Sequence, residues 1–252
     1  FDGMSCGMIA MMNAGVTVDT YDAYEIDKYA IKTSQHNFPM IIQHGDVFGA
    51  DFTQYEGVDY VIGGSPCTFW SIAQKNNRET EANGFGWELF QQYVRAIKEA
   101  KPKFFIYENN KSMSKQIRAC IDATFGFEAI GINSALLSAQ NRQRLYWVGK
   151  RNEHGTYSKV DVAQPKDRGV LLKNILDNND LVDMDKGYCL KHQAGNARDH
   201  IKKHHINIAF IPVNTTDGKS QTLKAQYYKN SFANFCKYTS TYGATGIAEP
   251  VC

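Results

Sequence analysis

Asp59-Tyr60-Val61-Ile62-Gly63-Gly64-Ser65-Pro66-Cys67 is the stretch from which the fold can be read. Its first part is a run of buried-strand character, and two glycines stop it. Further on, Trp87 to Ala100 places apolar side chains at Leu89, Phe90, Tyr93, Val94 and Ile97, the spacing of one helix face. Phe104-Phe105-Ile106-Tyr107 then reads as another buried strand. Strand, helix, strand in that order make a right-handed β-α-β unit whose two strands run parallel.

The same rhythm extends in both directions. Upstream, Met8 to Ala14 forms a helix ending at Gly15, Val18 to Tyr24 a strand, Asp27 to Gln35 a helix, and Met40-Ile41-Ile42 a strand ending near Gly45-Asp46. Downstream, Lys115 to Thr124 is a helix and Leu145-Tyr146-Trp147-Val148 a late strand. The reading is an α/β fold: a doubly wound, mostly parallel, Rossmann-like sheet covered on both faces. From about residue 152 the β-α rhythm stops and turn-rich segments such as Asp177-Asn178-Asn179-Asp180 appear. Two regions are expected, 1–151 as the ligand-binding domain and 152–252 as a smaller irregular one.

Composition narrows the function. The chain has 252 residues, 43% of them hydrophobic, enough for one sizeable core with a smaller lobe. No uninterrupted apolar run suits a membrane helix and no signal peptide is seen, so a cytoplasmic protein is expected. Six scattered cysteines without zinc-ligand spacing predict neither a disulfide framework nor a structural metal. The net charge is only +2, yet residues 1–150 sum to −2 and residues 151–252 to +4. A basic back portion fits phosphates, and it also fits a solvated surface. Phe1-Asp2-Gly3 reads as the end of a strand entering a turn, so a preceding strand is expected and the chain is read as a fragment.

In an open α/β sheet, ligands gather at the carboxyl ends of the strands. Five such ends carry polar groups. Phe1-Asp2-Gly3-Met4-Ser5-Cys6 can bring backbone amides to a ligand ahead of a helix N-terminus. Glu25, beside Ile26, suits two ribose hydroxyls, and Asp46, beside Val47, suits an adenine amine; a helix cap is the plainer role for such carboxylates. Gly63 to Cys67 carries a proline that fixes the backbone before a thiol at the ligand edge, where a thiolate can act as nucleophile rather than as a core filler. Glu108-Asn109 ends the neighbouring strand, with a carboxyl group able to bond a ring nitrogen and an amine. Gln140, Arg142 and Arg144, at alternate positions of one strand, would face one way and offer donors to a phosphate and a carbonyl oxygen.

Together these residues resemble the cytosine carbon-5 DNA methyltransferase family. F-D-G-M-S-C-G is similar to its first cofactor motif, Glu25 and Asp46 to the second and third, G-G-S-P-C to its proline-cysteine motif, E-N-N to its glutamate motif, G-F-G-W-E-L-F to its fifth motif and Q-N-R-Q-R to its Q-x-R-x-R motif, all in the family's order. The F-D-G and G-G-S-P-C wording is nearer the de novo branch and related bacterial or phage enzymes. Asn110 departs from the family's usual valine, with an effect expected on loop packing. The last two motifs are not found, and Gly218 to Leu223 resembles sequence of the target-recognition region, so the chain is expected to stop inside that region. Unless those motifs lie elsewhere, its activity alone stays open.

The resemblance implies an S-adenosyl-L-methionine-dependent enzyme on double-stranded DNA, bacterial or phage-encoded, for which a cognate restriction endonuclease is the partner such a system would add. It implies that the target cytosine is flipped into the pocket and that Cys67 adds to carbon 6. Glu108 would hold the ring nitrogen and amine, Arg144 the base carbonyl and Arg142 a phosphate. Phe1, Asp2, Gly3, Met4, Ser5, Cys6, Glu25, Ile26, Asp46 and Val47 would line the cofactor site, and Ser65, Pro66, Asn109 and Gln140 the substrate side. A tRNA cytosine methyltransferase and a catalytically silent DNA-binding subunit remain as alternatives.

Overall fold

Phe90, Tyr93, Val94 and Ile97 are aromatic or β-branched residues of middling helix propensity, yet they sit in the longest helix. Burying each contributes roughly 1.5–3 kcal/mol, against propensity differences of at most about 0.7 kcal/mol, so packing decides. The structure, a computed structural model, describes residues 1–72, 77–171 and 174, together with the backbone of residues 220 and 221. Along the chain come helix α1 (Cys6–Asn13), strand β1 (Asp22–Ala23), α2 (Lys28–Asn37), β2 (Ile42–Gln43), β3 (Tyr60–Gly63), α3 (Phe85–Ala100) and β4 (Phe104–Asn110). Then follow α4 (Lys115–Phe125), β5 (Ile130–Asn133), β6 (Gln140–Asn141), β7 (Gln143–Arg151), β8 (Tyr157–Lys159) and β9 (Ser220–Gln221).

The chain divides into two units, one of Phe1–Ile132 with Arg144–Ala163 and one of Asn133–Gln143 with Gln164–Cys252. In the first unit β1 and β2 pair in parallel, and a larger sheet runs in the order β3-β4-β7-β5 with β8 beside β7. β3 and β4 are parallel, with Gly63 opposite Tyr107, whereas β4–β7 and β7–β8 are antiparallel. The sheet is therefore mixed, a correction to the mostly parallel expectation. Period-two patterning states which face a strand buries and is silent on strand direction. Four short strands in the first unit were also longer in the sequence reading or absent from it: β1 and β2 are two-residue pairs, and β5 and β8 were not foreseen.

β4 alternates half-buried and buried positions. Phe105 and Tyr107 from β4, Leu145 and Trp147 from β7, Phe90, Tyr93, Val94 and Ile97 from α3, and Ile117 and Ile121 from α4 form one buried cluster. Both helices thus cover the same face, while the Phe104, Ile106 and Glu108 side is only half buried. Tyr93 fastens α3 to the sheet through its hydroxyl, which reaches the carbonyls of Val61 (3.0 Å) and Ile106 (2.8 Å). A cavity of about 490 Å³ is lined by residues of β1 and β3 and by Phe1 and Asp2, but not by Glu25, Asp46, Cys67 or Glu108. In the second unit, β6 pairs in parallel with β9, Gln140 opposite Ser220. Among the described residues no helix is long and apolar enough to cross a membrane.

Candidate active site

Phe1 and Asp2 bring the strand ends of the first unit into one row. The nitrogens of Phe1 and Asp2 donate to the Tyr24 carbonyl at 3.0 and 3.2 Å, and the Phe1 carbonyl accepts from the Gly64 amide at 3.5 Å. The glycine turn therefore lies between the end of β1, where Glu25 stands, and the end of β3, which leads to Cys67. Gly64 in turn touches the end of β4: a Cβ on Gly64 would meet the Glu108 carbonyl oxygen at 2.5 Å and Glu108 Oε2 at 3.3 Å. Glycine is required there by close approach. Asn110 at the end of β4 faces Arg144 in β7, and Arg144 Nε lies 2.7 Å from Glu108 Oε1.

On the cofactor side, Gly3 has φ 65, and open space lies where its side chain would stand. Met4 and Cys6 are exposed. Ser5 and Asp2 are internal braces: Ser5 is fully buried in a left-handed conformation, its hydroxyl donates to Asp2 Oδ2 at 2.6 Å, and Tyr21 donates to Asp2 Oδ1 at 2.7 Å. Burial, with Asp2 beside it, pushes the Tyr21 hydroxyl well above its ordinary pKa, so it stays a donor.

Glu25 is committed more fully than a ribose ligand needs to be. Its Oε2 accepts from the nitrogens of Phe1 (3.0 Å) and Gly3 (2.8 Å), and its Oε1 from the amides of Ile26 and Asp27, both at 2.9 Å. Burial opposes its charge, but the groups around it, the Asp27 and Gly3 amides among them, outweigh it and hold the carboxyl below the ordinary range. Ile26 is 74% exposed and Val47 is buried. Asp46 accepts from the Phe48 amide at 3.0 Å through one oxygen, and its other oxygen has no partner among the described residues. Asp27, not Glu25, caps α2.

Pro66 opens a short 3-10 turn over Cys67–Phe69, and Cys67 is a half-buried free thiol. Beneath it, Ser65 and Asn109 turn inward. The Ser65 and Tyr107 hydroxyls are 2.6 Å apart, and Asn109 Nδ2 donates to the Ser65 carbonyl at 3.1 Å and to the Tyr107 hydroxyl at 3.0 Å. Ser65 and Asn109 are 4% and 1% exposed, so they stand under the loop rather than at its open side. Burial raises the Tyr107 pKa beyond what these hydrogen bonds lower, keeping the network neutral.

Gln140, Arg142 and Arg144 do not lie on one unbroken strand. β6 ends at Asn141 and β7 starts at Gln143, because Asn133 intervenes: its Oδ1 accepts from the Arg142 amide at 3.0 Å and its Nδ2 donates to Asn141 Oδ1 at 2.9 Å. Gln140 and Arg142 belong to the second unit and Arg144 to the first. Three supports escaped the sequence reading. Arg95 donates to the carbonyls of Val47 and Ala50 and pairs with Glu99 at 3.1 Å, pinning the Asp46 loop to α3; its i,i+4 spacing was a legible signal. Glu79 accepts from the Gly86 amide at the start of α3 and from Trp70 Nε1. Arg78 bonds two backbone carbonyls, and nothing in its local sequence announces that.

A row of strand ends bearing a glycine turn, two carboxylates, a loop thiol and a carboxylate–guanidinium pair defines an α/β protein with a ligand site at the carboxyl edge of its sheet. The profile of the C-5 cytosine-specific DNA methylase family matches residues 1–247, and the chain belongs to that family. It is 32% identical over 165 residues to an orphan methyltransferase of Bacillus phage SPR, covering 61% of this chain and 37% of the relative. A type II methyltransferase of Lactococcus lactis subsp. cremoris is 30% identical over 223 residues, 82% of this chain and 55% of that protein. The chain thus spans between about a third and just over half of these relatives' lengths. A crystal structure described as a candidate DNA modification methyltransferase encoded within an E. coli prophage shares the fold, with TM-score 0.50 and 22% identity over 66% of this chain and 49% of that one.

Proposed function

We propose that this chain provides the cofactor-binding and catalytic part of a DNA (cytosine-5-)-methyltransferase. The observation that carries the reading is the contact of the Cys67 loop, through Gly64, with Glu108, which is itself paired with Arg144. S-adenosyl-L-methionine fits the residues present: Gly3 leaves open space beside backbone amides, Asp46 keeps an oxygen for an amine, and Ile26 and Phe48 expose apolar surface. When bound, it supplies an electrophilic methyl group.

The Cys67 thiolate adds to carbon 6 of a cytosine flipped from double-stranded DNA, which makes carbon 5 nucleophilic. Glu108 bonds the ring nitrogen and exocyclic amine, and Arg144 both orients Glu108 and bonds the base carbonyl. Carbon 5 takes the methyl group, a base then removes the carbon-5 proton, and the electron pair of that bond restores the 5,6 double bond as Cys67 leaves as a thiolate. Arg142 is assigned to a phosphate, and residues after about 152 to target choice. Lys202-Lys203-His204-His205 and Tyr227-Tyr228-Lys229, which motivate that assignment, lie outside the described residues. Because the relatives include both orphan and type II methyltransferases, a restriction endonuclease of the same specificity is a partner to be tested by its presence beside the gene.

The test of the reading is covalent trapping. The full natural polypeptide, with cofactor, is mixed with duplexes carrying 5-fluorocytosine, and a DNA-protein adduct that survives denaturation is expected from wild type and not from Cys67→Ser. Adduct formation by Cys67→Ser removes Cys67 from the mechanism.

A further inference from the structure

After Cys67 the chain is held down by the end of β4 and the residues that follow it. The Arg78 guanidinium donates from Nη2 to the Ser112 carbonyl at 2.6 Å and from Nε to the Trp70 carbonyl at 3.2 Å. The Ser112 hydroxyl donates to Asn110 Oδ1 at 3.0 Å, and Asn110 Nδ2 donates to the Cys67 carbonyl at 3.3 Å. Ser114 adds a bond to the Thr80 carbonyl. Asn110 is 4% exposed and Trp70 fully buried, while Arg78, Ser112 and Ser114 are half-buried, so the tether runs from the buried end of β4 to a partly exposed rim. Both described limbs of the stretch, 67–72 and 77–80, are bonded to residues 110–114, which begin two positions beyond Glu108.

We propose that Arg78 is a positioning residue for Cys67: through the Trp70 carbonyl, Ser112 and Asn110 it sets the distance between the thiol and Glu108. The inference rests on the reading of Cys67 as nucleophile. A guanidinium is suited to the task because its planar fork reaches two carbonyls on different segments at once, which an ammonium cannot do in the same geometry. Asn110 gives this chain's departure from the usual valine a role, since valine would bond neither Ser112 nor Cys67.

The experiment compares Arg78→Lys, Arg78→Ala, Asn110→Val and Ser112→Thr in the full natural polypeptide. Single-turnover methyl transfer at saturating DNA and cofactor is expected to fall by ~10- to 100-fold in the two Arg78 variants, as for a misplacement approaching 1 Å. Affinity for S-adenosylhomocysteine, by calorimetry, should stay within about twofold, because the tether touches no cofactor residue. Alkylation of Cys67 by iodoacetamide without DNA, followed by peptide mass spectrometry, should quicken severalfold in Arg78→Ala and Asn110→Val. Ser112→Thr, which keeps the hydroxyl, should match wild type. Asn110→Val, apolar and close in size, gives the second reading should the Arg78 variants not fold. Wild-type transfer and alkylation in Arg78→Ala overturn the proposal. So does a variant whose only defect is weaker DNA binding with a salt slope lowered by about one, since that makes Arg78 a phosphate contact. If wild type itself transfers no methyl, the nucleophile reading falls, while the alkylation rates still decide whether the tether holds the Cys67 turn.

Discussion

Alanine at Gly64 is the smallest change that separates the two sides of the site. The added Cβ would lie 2.5 Å from the Glu108 carbonyl oxygen, where ordinary contacts begin at 3.4 Å, so one strand end must yield by roughly 0.9 Å. The β4 end is the stiffer partner, because it is laddered to β7 through Glu108 opposite Tyr146 and Asn110 opposite Arg144. The loop bearing Cys67 gives way instead. Overpacking of this kind costs about 1–3 kcal/mol, lowering the thermal midpoint by about 2–4 °C per kcal/mol for a protein of this size. Catalysis should suffer more, since a shift near 1 Å is worth on the order of 100-fold in rate. Single-turnover transfer of a labelled methyl group, with cofactor affinity by calorimetry and the midpoint by circular dichroism, separates the effects. Loss of stability with an unchanged rate would falsify the idea that Gly64 sets the Cys67–Glu108 spacing, and unchanged values of both would remove the contact itself.

Cys67→Ser should abolish transfer and leave cofactor affinity within a few fold, whereas Cys6→Ser should affect mainly affinity; turnover kinetics and calorimetry read both. Glu25→Ala should destabilise the protein even without cofactor, because four backbone donors lose a charged acceptor; the loss is expected at about 1.5–3 kcal/mol. Thermal melts of the cofactor-free protein at equal pH decide whether Glu25 is only a ribose ligand, in which case no loss appears. Because the folded carboxyl is held below its unfolded value, its contribution is present above the ordinary carboxylate range and is lost as pH falls through the lowered value. The difference in stability between wild type and Glu25→Ala should therefore shrink on acidification below pH of about 4, and a difference independent of pH refutes the assignment. Exchanging the residues after about 152 for the corresponding part of a relative with a different target should move the methylated sequence while preserving trapping through Cys67, since Cys67, Glu108, Arg142 and Arg144 all lie before them. Bisulfite sequencing that returns the original pattern would place specificity in the residues before about 152.

Legibility followed the range of the interactions. The β3–α3–β4 unit was readable because its apolar positions repeat at helix and strand periods, and the packing in which Phe90, Tyr93, Phe105 and Tyr107 meet bears out that pattern. Strand direction was not readable: β7 returns antiparallel to β4 although its own residues would suit either sense. The interruption of the strand between Gln140 and Arg144 was unreadable for a related reason. Alternation assumes an unbroken strand, and Asn133, nine positions before Arg142 at the end of β5, takes the Arg142 amide where the strand is broken.

The sequence by itself determined which residues stand at strand ends: Glu25, Asp46, Cys67 and Glu108 each follow a hydrophobic run or its glycine stop, and that is a local property of the chain. Only the tertiary structure decided what those groups face. Glu25 is occupied by backbone donors, Ser65 and Asn109 turn inward to Tyr107, Glu108 meets Arg144, and Arg78 ties the Cys67 turn to Ser112. The pairings of Glu25 with Gly3, Asn109 with Ser65 and Arg78 with Ser112 join residues more than 20 positions apart, and hydrogen-bond partners at such separation are set by strand order and register, which no short-range pattern encodes.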